Sequence, residues 1–456
     1  MESRQQPKFF RFYNHKSPLK ALLMMLVFSA SASLSSGQTD LSLAQAHEYA
    51  LKNAASVKTA KYDAEVAQLQ TEELIGIGLP QISGSIQYQN FITLATQVVD
   101  GSFFGAPGQE LRLQFGTPHN MTLGLSASQL LFDGSWLVGL QASKAYAELQ
   151  RKNLSKSEIE IKLQVSQAYH LALVGAKRVE LLNQTKAVLS QMLDETKKFY
   201  DAGYVEEQDV DQLQLSLNEI ENGIVQAETG VRLYKEVLKF TIGMPLQEEI
   251  NLTDKSEDLI IAGDPAGATY AAENSIDVQL TQNGLVMQEL NLKNQKAKFL
   301  PNAGLFYNLQ SQALRQEFNF FDTSKPWFAP QLWGFQINVP ILSGGSKMKS
   351  VQKAKVEVQR MKDMLEVAKN GASLEYSKAK LEYDVAISNY DNAQKSLALA
   401  QKILDKTNIK YKEGVSSSMD VSISTNQVLS AQQTLANALQ SLMDAQAKLK
   451  KALNTL

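Results

Sequence analysis

The 456-residue chain contains no cysteine. This absence excludes disulfides, thiolate nucleophiles, cysteine-ligated zinc and a lipidated N-terminal cysteine. Proline is also missing from two long stretches, because all eleven prolines fall in the N-terminal tail, between Pro80 and Pro118, or between Pro245 and Pro340. The two proline-free stretches can therefore form long uninterrupted helices.

No charge of one sign dominates the chain, since 45 Lys and Arg stand against 47 Asp and Glu. This balance does not indicate nucleic acid or an acidic substrate as a partner. Catalytic motifs are missing as well: there is no HExxH, phosphate-binding loop or nucleophile elbow, and the four histidines fall in separate predicted elements. We therefore expect a protein that is not an enzyme and that uses no cofactor or metal.

The N-terminus has the pattern of a secretory signal peptide. Basic residues up to Lys20 precede the apolar run 21–30, and small residues follow as far as Gly37. The apolar run is shorter than the ~20 residues that a membrane-spanning helix needs. We predict that residues 1–37 are removed on export, with cleavage after Ala32 or Gly37.

A repeated motif indicates that the mature chain contains one unit twice. The string at 199–210 returns at 410–421 with a tyrosine, a glycine and an aspartate at the same spacing. These pairs are Tyr200 and Tyr411, Gly203 and Gly414, and Asp209 and Asp420. Glycine ends a helix in left-handed backbone, and the polar residues after it cap the next helix. The motif therefore predicts two long helical hairpins, with tips near 200–209 and 411–420, produced by internal duplication.

Each unit also contains a pair of stretches in which apolar and polar residues alternate, the pattern of a strand. The predicted strands are 81–91 and 121–132 in the first unit, and 302–310 and 332–341 in the second. An aromatic-rich loop joins each pair, and one helix precedes each pair, at about 41–75 and 270–298. The predicted units span 38–245 and 269–456, with a polar linker at 246–268.

Two predicted helices, about 135–201 and 346–412, are each roughly 100 Å long at ~1.5 Å per residue. Such helices cannot bury themselves in a compact core. In the last helix, apolar residues recur every seventh position at Val421, Val428, Leu435, Leu442 and Leu449. This sustained heptad predicts a coiled-coil seam.

The predicted strands have the length of tilted strands that cross a bilayer. Four strands cannot close a barrel, and open edges in lipid would leave backbone groups unpaired at several kcal/mol each. A membrane location therefore requires several copies, and twelve strands from three copies would enclose a pore where eight would not. A small soluble antiparallel sheet is the alternative interpretation of the same pattern.

The doubled order of helix, strand pair, long helix, Tyr-x-x-Gly turn and helix resembles the TolC-like outer-membrane efflux proteins. The resemblance also rests on paired breaks and helix ends, at Leu79–Pro80 and Leu300–Pro301, Asp133–Gly134 and Gly344–Gly345, Gly243–Leu246, and Lys451–Leu453. It implies a mainly α fold with membrane β strands. The helical hairpins would form a periplasmic α-barrel, and four strands per chain would contribute to a shared, trimeric, twelve-stranded outer-membrane β-barrel.

The resemblance further implies a passive outer-membrane exit duct of a tripartite efflux or type I secretion system. Its partners would be two further copies in a homotrimer, a periplasmic adaptor, an inner-membrane pump of the RND or ABC type and outer-membrane lipid. Most of the chain would lie in the periplasm of a Gram-negative bacterium. The hairpin tips would dock the adaptor through Gly203, Gly414, Tyr200, Val205 and Val415.

The resemblance assigns the periplasmic entrance to Asp420, Tyr411 and Asp209. A ring of Asp420 carboxylates in a narrow mouth would attract cations. The sequence departs from the best-known pattern at two positions, because Ser416 replaces an arginine latch and Ile423 replaces a second acidic ring. Two other classes of protein fit parts of the pattern: an exported coiled-coil scaffold or adhesin with a minor β-sheet, and a soluble pore-forming toxin.

Overall fold

The computed structural model describes residues 39–105, 107–262 and 270–456. The predicted signal peptide and part of the predicted linker lie outside these residues. The first half contains β1 Thr39–Leu41, α1 Leu43–Asn53, α2 Ala55–Ile77, β2 Gln81–Asn90, β3 Thr96–Asp100, β4 Glu110–Gln114, β5 His119–Asp133, α3 Gly134–Asp201, α4 Glu207–Ile242, β6 Ile250–Leu252 and α5 Ser256–Ala262. The second half contains α6 Ile276–Ala297, β7 Asn302–Arg315, β8 Gln331–Asn338, α7 Ser346–Lys412 and α8 Ser418–Ala452.

Matched helix lengths relate the two halves. Helices α3 and α4 have 68 and 36 residues, and α7 and α8 have 67 and 35. Each long helix packs against two shorter helices along its length: α3 against α2 and α4, and α7 against α6 and α8. Helix α8 also packs on α3, so the two hairpins lie side by side.

The prediction of one helix over 41–75 was wrong, because the chain forms α1 and α2 with a break at Ala54. Ala54 is buried and has extended backbone, with φ −59° and ψ 132°. The turn that ends α4 lies against this break: a Cβ on Gly243, whose φ is +75°, would come within 2.7 Å of the Asn53 carbonyl oxygen. The bend is therefore imposed by tertiary packing that the local sequence does not reveal.

The stretch 246–268, predicted as a polar linker, contains β6 and α5 in its described part. Strand β6 pairs in parallel with β1, and Ile250 and Leu41 are buried in one core cluster with residues of α1, α3 and α4. Lys239 holds the turn after α4 by donating to the carbonyls of Leu246 and Glu248. The described part of this connection thus packs on α1, α3 and α4.

Four strands form one antiparallel sheet in the order β2-β5-β7-β8. The first edge strand is β2 and the last is β8, so both edges are open. Strands β5 and β7 extend beyond the predicted 121–132 and 302–310. The loop between β2 and β5 contains the hairpin β3–β4, which sequence reasoning missed.

The α8 heptad is buried as a coiled-coil seam, with Val428, Leu442 and Leu449 each no more than 4% exposed. On α7 the complementary seam alternates small and large side chains: Ala379, Ala386, Ala393 and Ala400 alternate with Tyr383, Tyr390, Leu397 and Leu404. Alternating sizes let facing layers interdigitate at close packing. Within the described residues, no helix is both long and apolar enough to span a bilayer.

Candidate functional site at the hairpin tips

The two tips have the same backbone hydrogen bonds. At the first, the Gly203 amide donates to the Tyr200 carbonyl at 2.8 Å, and the Tyr204 amide donates to the Phe199 carbonyl at 2.8 Å. At the second, Gly414 donates to Tyr411 at 3.0 Å and Val415 donates to Lys410 at 2.8 Å. Gly203 and Gly414 have φ of +77° and +72°. Both positions therefore need the left-handed backbone that glycine adopts without strain.

The aspartates of the motif cap the outgoing helices. Asp420 Oδ2 accepts the Ser417 amide at 2.9 Å, the Ser417 hydroxyl at 2.8 Å and the Ser416 hydroxyl at 3.0 Å. In return, the Asp420 amide donates to Ser417 Oγ at 3.2 Å, which completes a capping box. At the first tip, Asp209 Oδ2 accepts the Glu206 amide at 3.3 Å.

These contacts keep the Asp420 carboxylate charged. The Ser417 amide, followed by the Ser417 and Ser416 hydroxyls, lowers the pKa of Asp420 below its ordinary value of 3.8. The side chain is nevertheless exposed. The tip of the second hairpin therefore presents a negative charge to solvent at neutral pH.

Tyr411 lies at the joint between the two hairpins. Its hydroxyl is 3.2 Å from the Thr196 hydroxyl on α3, and its ring packs on the core cluster of the first hairpin. Burial, with a smaller contribution from the negative charge of Asp209, raises the pKa of Tyr411 above 10.0. The structure therefore brings Tyr411 and Asp209 into one electrostatic neighbourhood, whereas Asp420 has its contacts within its own turn.

An ion pair beside Tyr411 was not predicted from the sequence. Lys412 Nζ lies 2.7 Å from Glu195 Oε2 on α3, and this contact lowers the pKa of Glu195. Lys412 directly follows the motif tyrosine and could have been singled out on that basis. Glu195 has no comparable signal, because it is one of many acidic residues on a long polar helix face.

The exposed surface of the tips is apolar around the charged turn. Val415 is 75% exposed and Tyr204 is 80% exposed, while Tyr200 and Val205 are partly exposed. Tyr204 was not among the predicted docking residues, although it occupies the position in the first tip that Val415 occupies in the second. A partner that docks here would meet two exposed apolar side chains next to the capped turns.

Polar contacts connect the hairpins above the tips. Ser216 and Ser422 are buried with their hydroxyls 3.0 Å apart, and the buried Gln432 amide donates to Thr185 Oγ1 at 2.9 Å. Thr425 Oγ1, only 1% exposed as a residue, has no hydrogen-bond partner. The contacts between the hairpins therefore leave one buried hydroxyl without a partner.

The sheet at the opposite end has two chemically different faces. Cross-strand partners point to the same side of a sheet. One face is apolar, with exposed Ile82, Ile86, Tyr88, Leu123, Leu125, Leu305, Tyr307, Trp333, Phe335 and Ile337. The other face carries amides and hydroxyls, including Ser83, Ser85, Gln87, Thr122, Ser126, Ser128, Asn308, Gln310, Gln312, Gln336 and Asn338.

The histidines form no metal centre in the described part of the chain, where no group of three or more metal-ligating side chains occurs. His47 and His170 lie on different helices but line one cavity of 330 Å³. His47 Nε2 lies 3.0 Å from Ser166 Oγ, and burial lowers its pKa to about 4. His170 Nδ1 lies 3.3 Å from Asp444 Oδ1 on α8. These contacts connect α1, α3 and α8.

The sequence model of the outer membrane efflux protein family matches residues 270–455. No curated protein matches in sequence. Among solved structures, CusC has a TM-score of 0.73 at 16% identity, with 93% of this chain and 95% of that chain covered. The CmeC outer membrane channel of Campylobacter jejuni gives 0.67 at 17% identity, with coverage of 91% and 85%. The MtrE outer membrane channel of Neisseria gonorrhoeae, in its open state, gives 0.66 at 17%, with coverage of 90% and 88%.

The family match and the fold agree with the resemblance based on the tip motifs and the duplicated order of elements. The fold is shared over nine-tenths of the chain. Residues 270–455 are therefore similar in sequence to the outer membrane efflux protein family, and the chain as a whole shares the fold of these channels.

Proposed function

We propose that this chain is the outer-membrane exit duct of a tripartite efflux or type I secretion system. Three copies would conduct substrates passively from the periplasm to the outside. The observation that carries the proposal is the sheet, which combines one apolar face, one polar face and two open edges. Such a sheet is unsuited to water as an isolated unit.

The open edges of the sheet must pair with strands from other copies of the chain. In lipid, every unpaired backbone amide or carbonyl on β2 and β8 costs several kcal/mol. Pairing β8 of one copy with β2 of the next removes both edges once the ring closes. Three copies give twelve strands, with apolar faces toward lipid and amide and hydroxyl faces toward a water-filled lumen.

The helical layer has matching exposed surfaces at its two sides. On α7, which already packs on α6 and α8, a second apolar stripe is exposed at Val356, Val367, Leu374, Leu381 and Val385. On α4, another stripe is exposed at Leu215, Val225, Leu233 and Phe240. Because the two stripes lie on different surfaces, a contact between them would be heterologous, which gives a closed ring of copies where the rotation between neighbours closes. The ring of helices would form the periplasmic tunnel below the barrel.

We infer that the two halves, 38–245 and 269–456, are repeats of one unit, since their hairpins match in length and in tip hydrogen bonds. Both tips would then face the periplasm and meet a periplasmic adaptor through Tyr200, Gly203, Val205, Gly414 and Val415, with Tyr204 added by its exposure. An inner-membrane pump of the RND or ABC type would supply the energy.

The entrance would be controlled where the hairpins touch. Three copies of Asp420 would form an anionic ring, while Tyr411, near Asp209, would hold the second hairpin on the first. Ser416 donates to Asp420 within the turn, so this turn satisfies the carboxylate without an arginine latch. Opening would separate the contacts at Tyr411 and Lys412.

The test is to fractionate cells that produce the full chain and to measure the protein mass of the detergent-extracted particle, corrected for bound detergent. We expect recovery from the outer membrane at about three times the mass of one chain, followed by conductance in planar bilayers. A scaffold or adhesin would wash off without detergent, and a toxin would be recovered from the medium. Either result would reject the channel.

A further inference from the structure

An aromatic loop covers one corner of the apolar sheet face, at the end farthest from the helices. The loop 316–330 folds back on β7, where the amide of Phe328 donates to the Gln312 carbonyl at 2.8 Å and the Gln312 amide donates to the Phe328 carbonyl at 2.7 Å. Its rings reach the strands: Phe318 and Phe320 pack edge-on to Tyr88 at centroid distances of 5.5 and 5.8 Å.

Arg315 lies within this corner on the same face as Tyr88 and His119. His119 pairs with Asn90 on one neighbouring strand and with Arg315 on the other. Asn90 is two residues from Tyr88, so the side chains of Tyr88, His119 and Arg315 share one face. Arg315 is only 7% exposed. Its Nη atoms donate to the carbonyls of Leu314, Lys325 and Pro326 at 3.3, 3.2 and 2.9 Å, and Nε has no partner.

Arg315 therefore carries a buried positive charge that carbonyl oxygens compensate by direct contact, and the Asp322 carboxylate only at longer range. Among the described residues, no carboxylate forms an ion pair with it. Asp322, on the same loop, instead accepts the amide and hydroxyl of Ser324 through Oδ1, at 3.0 and 2.6 Å. A buried charge without a direct ion pair is costly, and an anion supplied from outside would lower that cost.

The setting indicates where such an anion would come from. Lys325 lies on the same loop and is exposed, and its backbone carbonyl is one of the acceptors for Arg315. The apolar face continues away from this corner, and aromatic rings of Tyr88, Phe318 and Trp327 surround it. Aromatic side chains concentrate at membrane–water interfaces, where lipid phosphates lie.

We propose that this corner binds the phosphate of an outer-leaflet lipid headgroup. Lys325 contacts the phosphate as a point charge, and the charge of Arg315 strengthens its attraction. The lipid chains then lie along the apolar face. This inference rests on the proposed function, because it requires that the apolar face meets lipid.

The test uses native mass spectrometry of the full chain, extracted from outer membranes as its oligomer and stripped of lipid. The probes are a diphosphorylated lipid A, the same lipid after phosphate removal, and inorganic phosphate. Lys325→Gln should weaken binding of the diphosphorylated lipid about tenfold, the loss of one charge-assisted hydrogen bond. Arg112→Gln, an exposed cation on β4, is the matched control and should leave binding unchanged.

Arg315→Gln should weaken binding by a similar factor, but it also removes the loop contacts, so Lys325→Gln is the decisive variant. Equal binding of the phosphorylated and dephosphorylated lipids would overturn the proposal. So would competition by inorganic phosphate at equal concentration, which would indicate a site for free anions. If the chain is not an outer-membrane oligomer, the proposed function fails first. If it is one and Lys325→Gln binds normally, only this inference fails.

Discussion

At the scale of single residues, Asp420 combines two roles that different substitutions can separate. Its carboxylate accepts the Ser417 amide and thereby caps α8. The same exposed carboxylate, repeated by threefold symmetry in the proposed channel, would attract cations to the entrance. Capping requires an oxygen acceptor, whereas attraction of cations requires a charge.

We predict that Asp420→Asn reduces the preference for cations, since the amide keeps an oxygen acceptor but loses the charge. Ser417→Ala should keep the cation preference and lower the stability of the hairpin by about 1 kcal/mol, because it removes the cap on α8. Reversal potentials in planar bilayers under a salt gradient measure the first effect, and thermal unfolding measures the second. An unchanged reversal potential in Asp420→Asn would exclude the carboxylate ring as a selectivity determinant.

The tip residues differ in how far the sequence could predict them. The two turns were predictable because a left-handed backbone at a helix end favours glycine. The capping aspartates were predictable from their position shortly after each turn. The partners of Tyr411 and Lys412 could not be predicted, because Thr196 and Glu195 lie on the other hairpin. Contacts between distant segments depend on how the hairpins are placed side by side, and no local pattern encodes that placement.

At the scale of helices and strands, the mainly helical class with one four-stranded antiparallel sheet was predictable from period and proline placement. The errors occurred where tertiary packing overrides local preference. Ala54 breaks the first helix against the turn at Gly243, and β1 and β6 are three-residue strands that only mutual pairing defines. The hairpin β3–β4 was not predicted, because its alternation of apolar and polar residues is short and lies among the glycines and prolines of a loop.

The seam between the hairpins contains two buried threonines in opposite situations. Thr185 accepts the Gln432 amide at 2.9 Å and donates to the Leu181 carbonyl at 3.2 Å. Thr425 is equally buried, but its hydroxyl has no partner. Leaving a buried hydroxyl unpaired costs ~1 to 3 kcal/mol, whereas a satisfied one contributes to stability.

We predict that Thr425→Val stabilises the assembled protein by about 1 kcal/mol, because the methyl group replaces an unsatisfied hydroxyl in nearly the same shape. Thr185→Val is the matched control and should destabilise by a similar amount, since the Gln432 amide keeps its bond to the Leu181 carbonyl but loses the acceptor for its second N–H. Thermal unfolding of the detergent-extracted particle compares the two. A shift of the same sign in both variants would contradict this description of the seam.

At the scale of the whole molecule, a single chain leaves two surfaces incomplete at once. The sheet has unpaired edges at β2 and β8, and the helical layer exposes apolar stripes on α7 and α4. The proposed ring of copies would complete both surfaces at once, because the strands and helices of each copy belong to one continuous chain. Assembly should therefore depend on the helices, even though only the strands would lie in the membrane of the proposed channel.

We predict that Leu374→Arg combined with Leu381→Arg prevents ring closure, although both residues lie far along α7 from the sheet. These side chains are 70% and 66% exposed in one copy. Burying each leucine against the next copy would contribute about 1.5 to 3 kcal/mol, and an arginine there would be buried without a counter-charge. The mass of the detergent-extracted particle should fall to that of one chain. Lys380→Glu, at an exposed position on another side of α7, is the control and should assemble normally. If the double variant keeps the full particle mass, the α7 stripe is not a contact between copies, and the ring must close through the sheet alone.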